Sequence, residues 1–282
     1  MKLMRLGPRG EETAAAFVGD DQYVDLSDVV GDFDEAFFRS GRIIDLPAVI
    51  ADRTPRPLAG QRIGAPIARP HQILCIGLNY SDHAAESGMP VPSEPILFTK
   101  SPNTLQGPND DILIPRGSQK TDWEVELGVV IGAPCSYLAD EEQAAAAIAG
   151  YTVVNDVSER EWQIERQGQW SKGKSAPTFN PAGPWLVTPD EIGDVLDLDM
   201  FLDVDAVRRQ TGSTSKMVFS PAFIVHYLSQ FMALEPGDLI NTGTPPGVGL
   251  GLKPPQYLHG GETLTLGISK LGVQRQRVLA HR

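Results

Sequence analysis

Short apolar runs broken by glycine and proline dominate the chain, and most span roughly four to eight residues, the length of strands rather than helices. Runs of this kind predict strands at "AAAFVG" (14–19), at 23–26, at 73–79 ("ILCIGLN") and at 96–100 ("ILFTK"). Further ones fall at 123–132 ("WEVELGVVIG"), 151–156 ("YTVVND"), 199–205 ("DMFLDVD") and 262–269 ("ETLTLGIS"). Three segments predict helices: "DEEQAAAAIAG" ending at Gly150, "SEREWQIERQG" at 158–168, and "SPAFIVHYLSQFMAL". In the last, Ser220 is placed to cap and Pro221 to sit in the first turn. "YSDHAAESG" (80–88) predicts one or two further helical turns with glycine as the stop. Strands do not alternate with long helices as a doubly wound sheet requires, so the pattern predicts an α+β fold on a mixed or antiparallel sheet.

The segment "RTPRPLAGQRIGAPIARP" (53–70) interrupts both periodicities with repeated proline and glycine, which makes it the candidate connection between domains. The expected division is a small N-terminal domain, 1–70, and a catalytic domain, 71–282. The first unit would hold two short strands followed by "DFDEAFF" and "LPAVIAD".

Charge narrows the function classes. With 24 Lys and Arg against 36 Asp and Glu, the chain carries a formal charge of −12, and no basic run offsets it. Nucleic acid and anionic membrane surfaces are therefore not expected as partners. The N-terminal "MKLMRLGPRGEE" has no apolar stretch of the signal-peptide kind, and no uninterrupted apolar segment is long enough to span a bilayer. The only two cysteines, Cys75 and Cys135, lie in or beside apolar runs, which fits core filling in a reducing cytoplasm.

The candidate chemistry starts in "DWEVELGVVIG". On a strand, Glu124 and Glu126 share one face while Val125, Leu127 and Val129 fill the other. Two like charges side by side need solvent or a cation, so the pair is either an ordinary wet face or part of a cation site. Asp156, ending "YTVVND", either adds a third carboxylate from a neighbouring strand end or caps the helix beginning at "SERE". Three oxygen ligands without a cysteine set would suit Mg²⁺, Mn²⁺ or Ca²⁺ rather than zinc. His83 and Glu86 lie three apart in "DHAAE", where a helical turn would let the carboxylate orient the imidazole as a base for water; a surface pair is the plainer alternative.

Lys172 and Lys174, in "RQGQWSKGKSAPTFNPAGPW", read as loop residues available to an anionic substrate. "NTGTPPGVGLG" offers the Thr242 and Thr244 hydroxyls and backbone amides to an oxyanion, or is a tight turn only. His226 reads as packed in a helix, His71 and His259 lie near turns, and His281 is in the terminal tail. The chain holds no P-loop, no dinucleotide fingerprint and no G-x-S-x-G elbow.

From Ile73 to Val278 the chain resembles the fumarylacetoacetate hydrolase family, especially its shorter bacterial members. The resemblance rests on "GLNYSDHAAE", "PILFTKSPNTLQGPND", "DWEVELGVVIG", "NDVSERE", "KGKSAPTFNPAGPW" and "FSPAFIVHYLSQFMALEPGDLINTGTPPGVG", in this order. It implies a β-rich roll paired into a homodimer, with a smaller N-terminal domain. It also implies metal ligation by Glu124, Glu126 and Asp156, usually of Mg²⁺, and a water-activating pair His83 and Glu86. Lys174 and Thr244 fall on substrate-holding positions, with Arg160 and Gln106 as further contacts. The implied activity is cleavage of a 2,4-diketo acid, an acylpyruvate or a diketo-deoxy sugar acid, to pyruvate and a carboxylic acid. Decarboxylation and keto–enol isomerisation are the family's other outcomes, and a non-catalytic binding protein is the alternative outside enzymes. The chain is shorter than the namesake eukaryotic enzyme, so the namesake substrate is not implied.

Overall fold

A computed structural model describes residues 1–82 and 90–281. Its centre is a ten-stranded sheet in the order Arg56–Pro57, Gln22–Asp25, Thr13–Gly19, Lys2–Leu6, Leu186–Val187, Ile148–Asn155, Val125–Ile131, Leu239–Asn241, Ile73–Gly77, Ile96–Lys100. A five-stranded sheet runs Val207–Ser213, Asp199–Val204, Thr263–Ile268, Gly272–Leu279, Ile112–Leu113. Both sheets are mixed: Leu239–Asn241 runs parallel to Ile73–Gly77, Gly272–Leu279 runs parallel to Ile112–Leu113, and the other pairings within these sheets are antiparallel. The α+β expectation therefore holds.

Burial on both faces explains why the central strands read as nearly continuous apolar runs. Val125, Leu127, Val129 and Ile131 pack with Met200, Leu202, Leu264 and Leu266 of the second sheet. On the other face Val130, Ala149 and Val154 pack with Leu3, Phe33 and Phe37 of the N-terminal segment. Leu3 pairs with Leu186, and Lys2 with Val187, so the first seventy residues extend the central sheet. The proline-rich connection is packed as well, with Leu58, Ala65 and Ile67 buried and Arg62 held to Asp110 (2.6 Å) and Glu12 (2.8 Å).

Several expectations are corrected. The alanine-rich helix spans only Glu141–Ala146, because the next residues join the central sheet from Ile148. "SEREWQIERQG" begins as the strand Ser158–Glu159 and continues as one π-helical turn, Glu161–Glu165, since Ser158 and Glu159 pair with Asp122 and Thr121. Helix Pro221–Ser229 is shorter than its apolar pattern, although the Ser220 hydroxyl caps it by accepting from the Phe223 amide at 3.0 Å. Among the described residues no helix is long and apolar enough to cross a membrane.

Candidate active site

Glu126 lies in the central strand Val125–Ile131, Glu124 directly before it, and Asp156 directly after the paired strand Ile148–Asn155. The antiparallel register sets Val125 opposite Asn155. The Asp156 amide donates to the Glu124 carbonyl at 2.9 Å, which brings both strand ends together. One carboxylate oxygen from each of the three residues lies within 4.8 Å of the others, and all three residues are buried. The wet-face reading of Glu124 and Glu126 is thereby excluded. So is the helix-cap reading of Asp156, whose carboxylate takes the ammoniums of Lys100 and Lys174.

Cations compensate this acidity unevenly. Lys174 Nζ donates to Glu124 Oε2 at 2.7 Å and to Asp156 Oδ2 at 2.8 Å. Lys100, equally buried, donates to Asp156 Oδ1 and to the carbonyls of Val157 (3.2 Å) and Phe179 (2.6 Å). Arg160 reaches Glu124 Oε1 at 2.7 Å, Asp122 Oδ2 at 2.8 Å and Gln163 Oε1 at 2.9 Å. Among the described residues, Glu126 receives only the Gly243 amide, at 2.8 Å. Burial, with the charges of Asp156 and Glu124, pushes the Glu126 carboxyl well above the usual carboxylate range. Burial opposes the charge on Lys174 and Arg160, but neighbouring carboxylates outweigh it and raise both pKa values. Three buried hard-oxygen donors, one of them short of a cationic partner, fit a divalent cation.

Glu124, Glu126, Arg160, Lys174 and Thr244 line one cavity of about 450 Å³. Lys174 belongs to the short helix Trp170–Lys174, which corrects the loop reading; its neighbour Lys172 is exposed and donates to the Arg166 carbonyl at 2.5 Å. Thr244 is on the wall, but its hydroxyl donates to the Val125 carbonyl at 2.9 Å and accepts from Gln210 at 2.8 Å. Thr242 donates to the Leu127 carbonyl at 2.8 Å. Gln106 is not brought to the cavity: it is buried elsewhere and donates to the Asp111 carbonyl at 3.2 Å. His83 and Glu86 lie outside the described residues.

Four residues that the sequence reading passed over complete the arrangement: Lys100, Asp122, Gln163 and Trp170. Asp122 accepts the Gly249 and Leu250 amides at 2.7 and 2.9 Å besides Arg160, so it ties the glycine-rich loop to the acidic cluster. Its signal was present, since Asp122, Glu124 and Glu126 follow the same two-residue period. Trp170 sits against Gly77, where an added Cβ would lie 2.5 Å from the indole ring.

A family profile for the fumarylacetoacetate (FAA) hydrolase C-terminal region matches residues 72–279. This chain belongs to the fumarylacetoacetate hydrolase family. A Burkholderia multivorans protein named "Putative hydrolase" is 53% identical over 283 residues, covering 100% of both chains. The crystal structure of 2-hydroxyhepta-2,4-diene-1,7-dioate isomerase from Mycobacterium marinum is similar at 31% identity and a TM-score of 0.78, covering 99% of this chain and 98% of that one. Maleylpyruvate hydrolase from Sphingobium sp. SYK-6, in complex with manganese(II) ion and pyruvate, matches at 25% identity and a TM-score of 0.82 over 100% of both chains. The family thus includes hydrolases and isomerases, and a manganese complex is known for one member.

Proposed function

We propose that the protein is a divalent-metal-dependent hydrolase that cleaves the C3–C4 bond of a 2,4-diketo acid, giving pyruvate and a carboxylic acid. The observation that carries this reading is the convergence of Glu124, Glu126 and Asp156 at a cavity lined by Glu124, Glu126, Lys174 and Arg160. Mg²⁺ is the proposed ion, with Mn²⁺ a competent substitute. When bound by the three carboxylates, it would supply Lewis-acid polarisation of the substrate's carboxylate and 2-oxo oxygens and stabilise developing enolate charge.

The chain's own residues would do the rest. Lys174, with its charge reinforced by Asp156 and Glu124, holds substrate oxygen at the cavity wall. Thr244 assists once its hydroxyl turns from the Val125 carbonyl. Arg160 anchors Glu124 and Gln163 while remaining tied to Asp122. His83, oriented by Glu86, takes a proton from water, a role carried over from the sequence alone. The hydroxide adds to C4, the C3–C4 bond breaks, and its electron pair forms the enolate of pyruvate, which is protonated at C3. The reading carries with it a cytoplasmic homodimer acting on a small carboxylate substrate, consistent with two buried, unpaired cysteines.

Isomerisation is the second reading, because the 2-hydroxyhepta-2,4-diene-1,7-dioate isomerase of Mycobacterium marinum shares the fold at 31% identity. A panel of 2,4-diketo acids offered to metal-stripped protein, with and without Mg²⁺ or Mn²⁺, distinguishes the two. Equimolar pyruvate and the matching acid, formed only with metal, are expected. A mass-conserving tautomer would favour the isomerase, and a shortened keto acid with CO₂ would favour decarboxylation.

A further inference from the structure

The cavity wall carries two chemistries. Three of its charged groups are committed to one another, with Arg160 on Asp122, Glu124 and Gln163, and Lys174 on Glu124 and Asp156, while Glu126 takes the Gly243 amide and Lys253 is exposed. Much of the remaining wall is apolar: Phe98, Ile164, Trp170, Val248, Leu250 and Leu252. Ile164 and Leu250 are 48% and 37% exposed in the isolated chain although both are large hydrophobic residues beside the candidate site. Trp170 is seated by a specific device, because its ring occupies the space that a side chain at Gly77 would take. Phe98 meets that ring edge-on, with centroids 5.3 Å apart, and lies 5.3 Å from the Lys174 ammonium. The aromatic pair therefore adjoins the charged cluster directly.

A polyhydroxylated substrate tail would need hydrogen-bond partners for each hydroxyl that loses water. Among the described residues the wall offers few. The Thr244 hydroxyl and the Gln163 carbonyl oxygen are already engaged, and Lys253 is an exposed side chain at the cavity. We infer that the acyl half of the substrate is apolar, an alkyl or aryl acylpyruvate rather than a diketo sugar acid, and that Trp170 sets this preference. The inference rests on the proposed site for its 2-oxo acid head and adds the class of tail.

Calorimetric titration of the Mg²⁺-loaded protein with 2-oxo acids from pyruvate to 2-oxooctanoate separates the tail from the chemistry. Affinity is expected to rise about three- to fourfold per added methylene until the apolar wall is covered. Trp170→Ala should flatten that dependence, and Leu250→Ser, at a half-open position that tolerates a polar residue, should weaken it in the same direction. Flat length dependence, absence of binding, or tighter binding of a polyhydroxylated or distally carboxylated 2-oxo acid of equal length would overturn the inference. Should affinity climb with length while no diketo acid is cleaved, the tail assignment stands and the hydrolysis reading fails.

Discussion

Glu126→Ala is expected to lower metal-dependent turnover of a 2,4-diketo acid by at least about 10²–10³-fold, the scale on which one electrostatic stabiliser of an oxyanion acts. Glu126 is the carboxylate with the least compensation: only the Gly243 amide donates to it among the described residues, while Glu124 and Asp156 contact buried cations. Its burial beside Asp156 and Glu124 disfavours the charged form without a cation and pushes its carboxyl pKa up. Removing it therefore should not destabilise the metal-free protein, because relief of the buried charge offsets the lost acceptor of the Gly243 amide, and Val125 and Leu127 keep their packing on the opposite face. The expected pair of results is lost Mn²⁺ binding, followed by paramagnetic resonance, together with a denaturation midpoint no lower than that of the parent. Glu126→Gln, which keeps the shape, should behave alike toward metal. Parent-like turnover in both variants would remove Glu126 from the site.

Lys100→Met is expected to act on stability instead. The Lys100 ammonium and the Asp156 carboxylate are both inaccessible to solvent, and Lys100 also satisfies the Val157 and Phe179 carbonyls. Removing one member of a buried ion pair leaves the other charge in a poorly solvating interior, which costs about 3–5 kcal/mol. Lys174 remains on Asp156 Oδ2, so the loss should fall near the lower end, about 3 kcal/mol, read from urea unfolding. An unchanged midpoint would mean that Asp156 does not depend on Lys100.

The strands that built the site were legible because burial on both faces leaves long apolar runs, as at Ile73–Gly77 and Val125–Ile131. Gly272–Leu279 was not: four of its residues, Gln274, Arg275, Gln276 and Arg277, are polar, and Gln274 and Gln276 are buried through hydrogen bonds to backbone carbonyls that no periodicity reveals. Val207–Ser213 was missed for the same reason, with Gln210 buried against the Val125 amide. The acidic triad could be listed from sequence, but its meeting depends on the register between two strands about thirty residues apart. Lys100 looked like the polar end of a strand; only the tertiary fold turns it into the counter-ion of Asp156. The apolar wall was invisible for a related reason, since Phe98, Trp170 and Leu250 come from three distant segments.

Water's oxygen gives the most direct test of carbon–carbon hydrolysis. Turnover of an alkyl acylpyruvate by the Mg²⁺-loaded protein in ¹⁸O-enriched water should place one labelled oxygen in the released carboxylic acid per turnover, with unlabelled pyruvate carboxylate. Consumption of the substrate without label in an acid fragment, or with its mass conserved, would contradict the account.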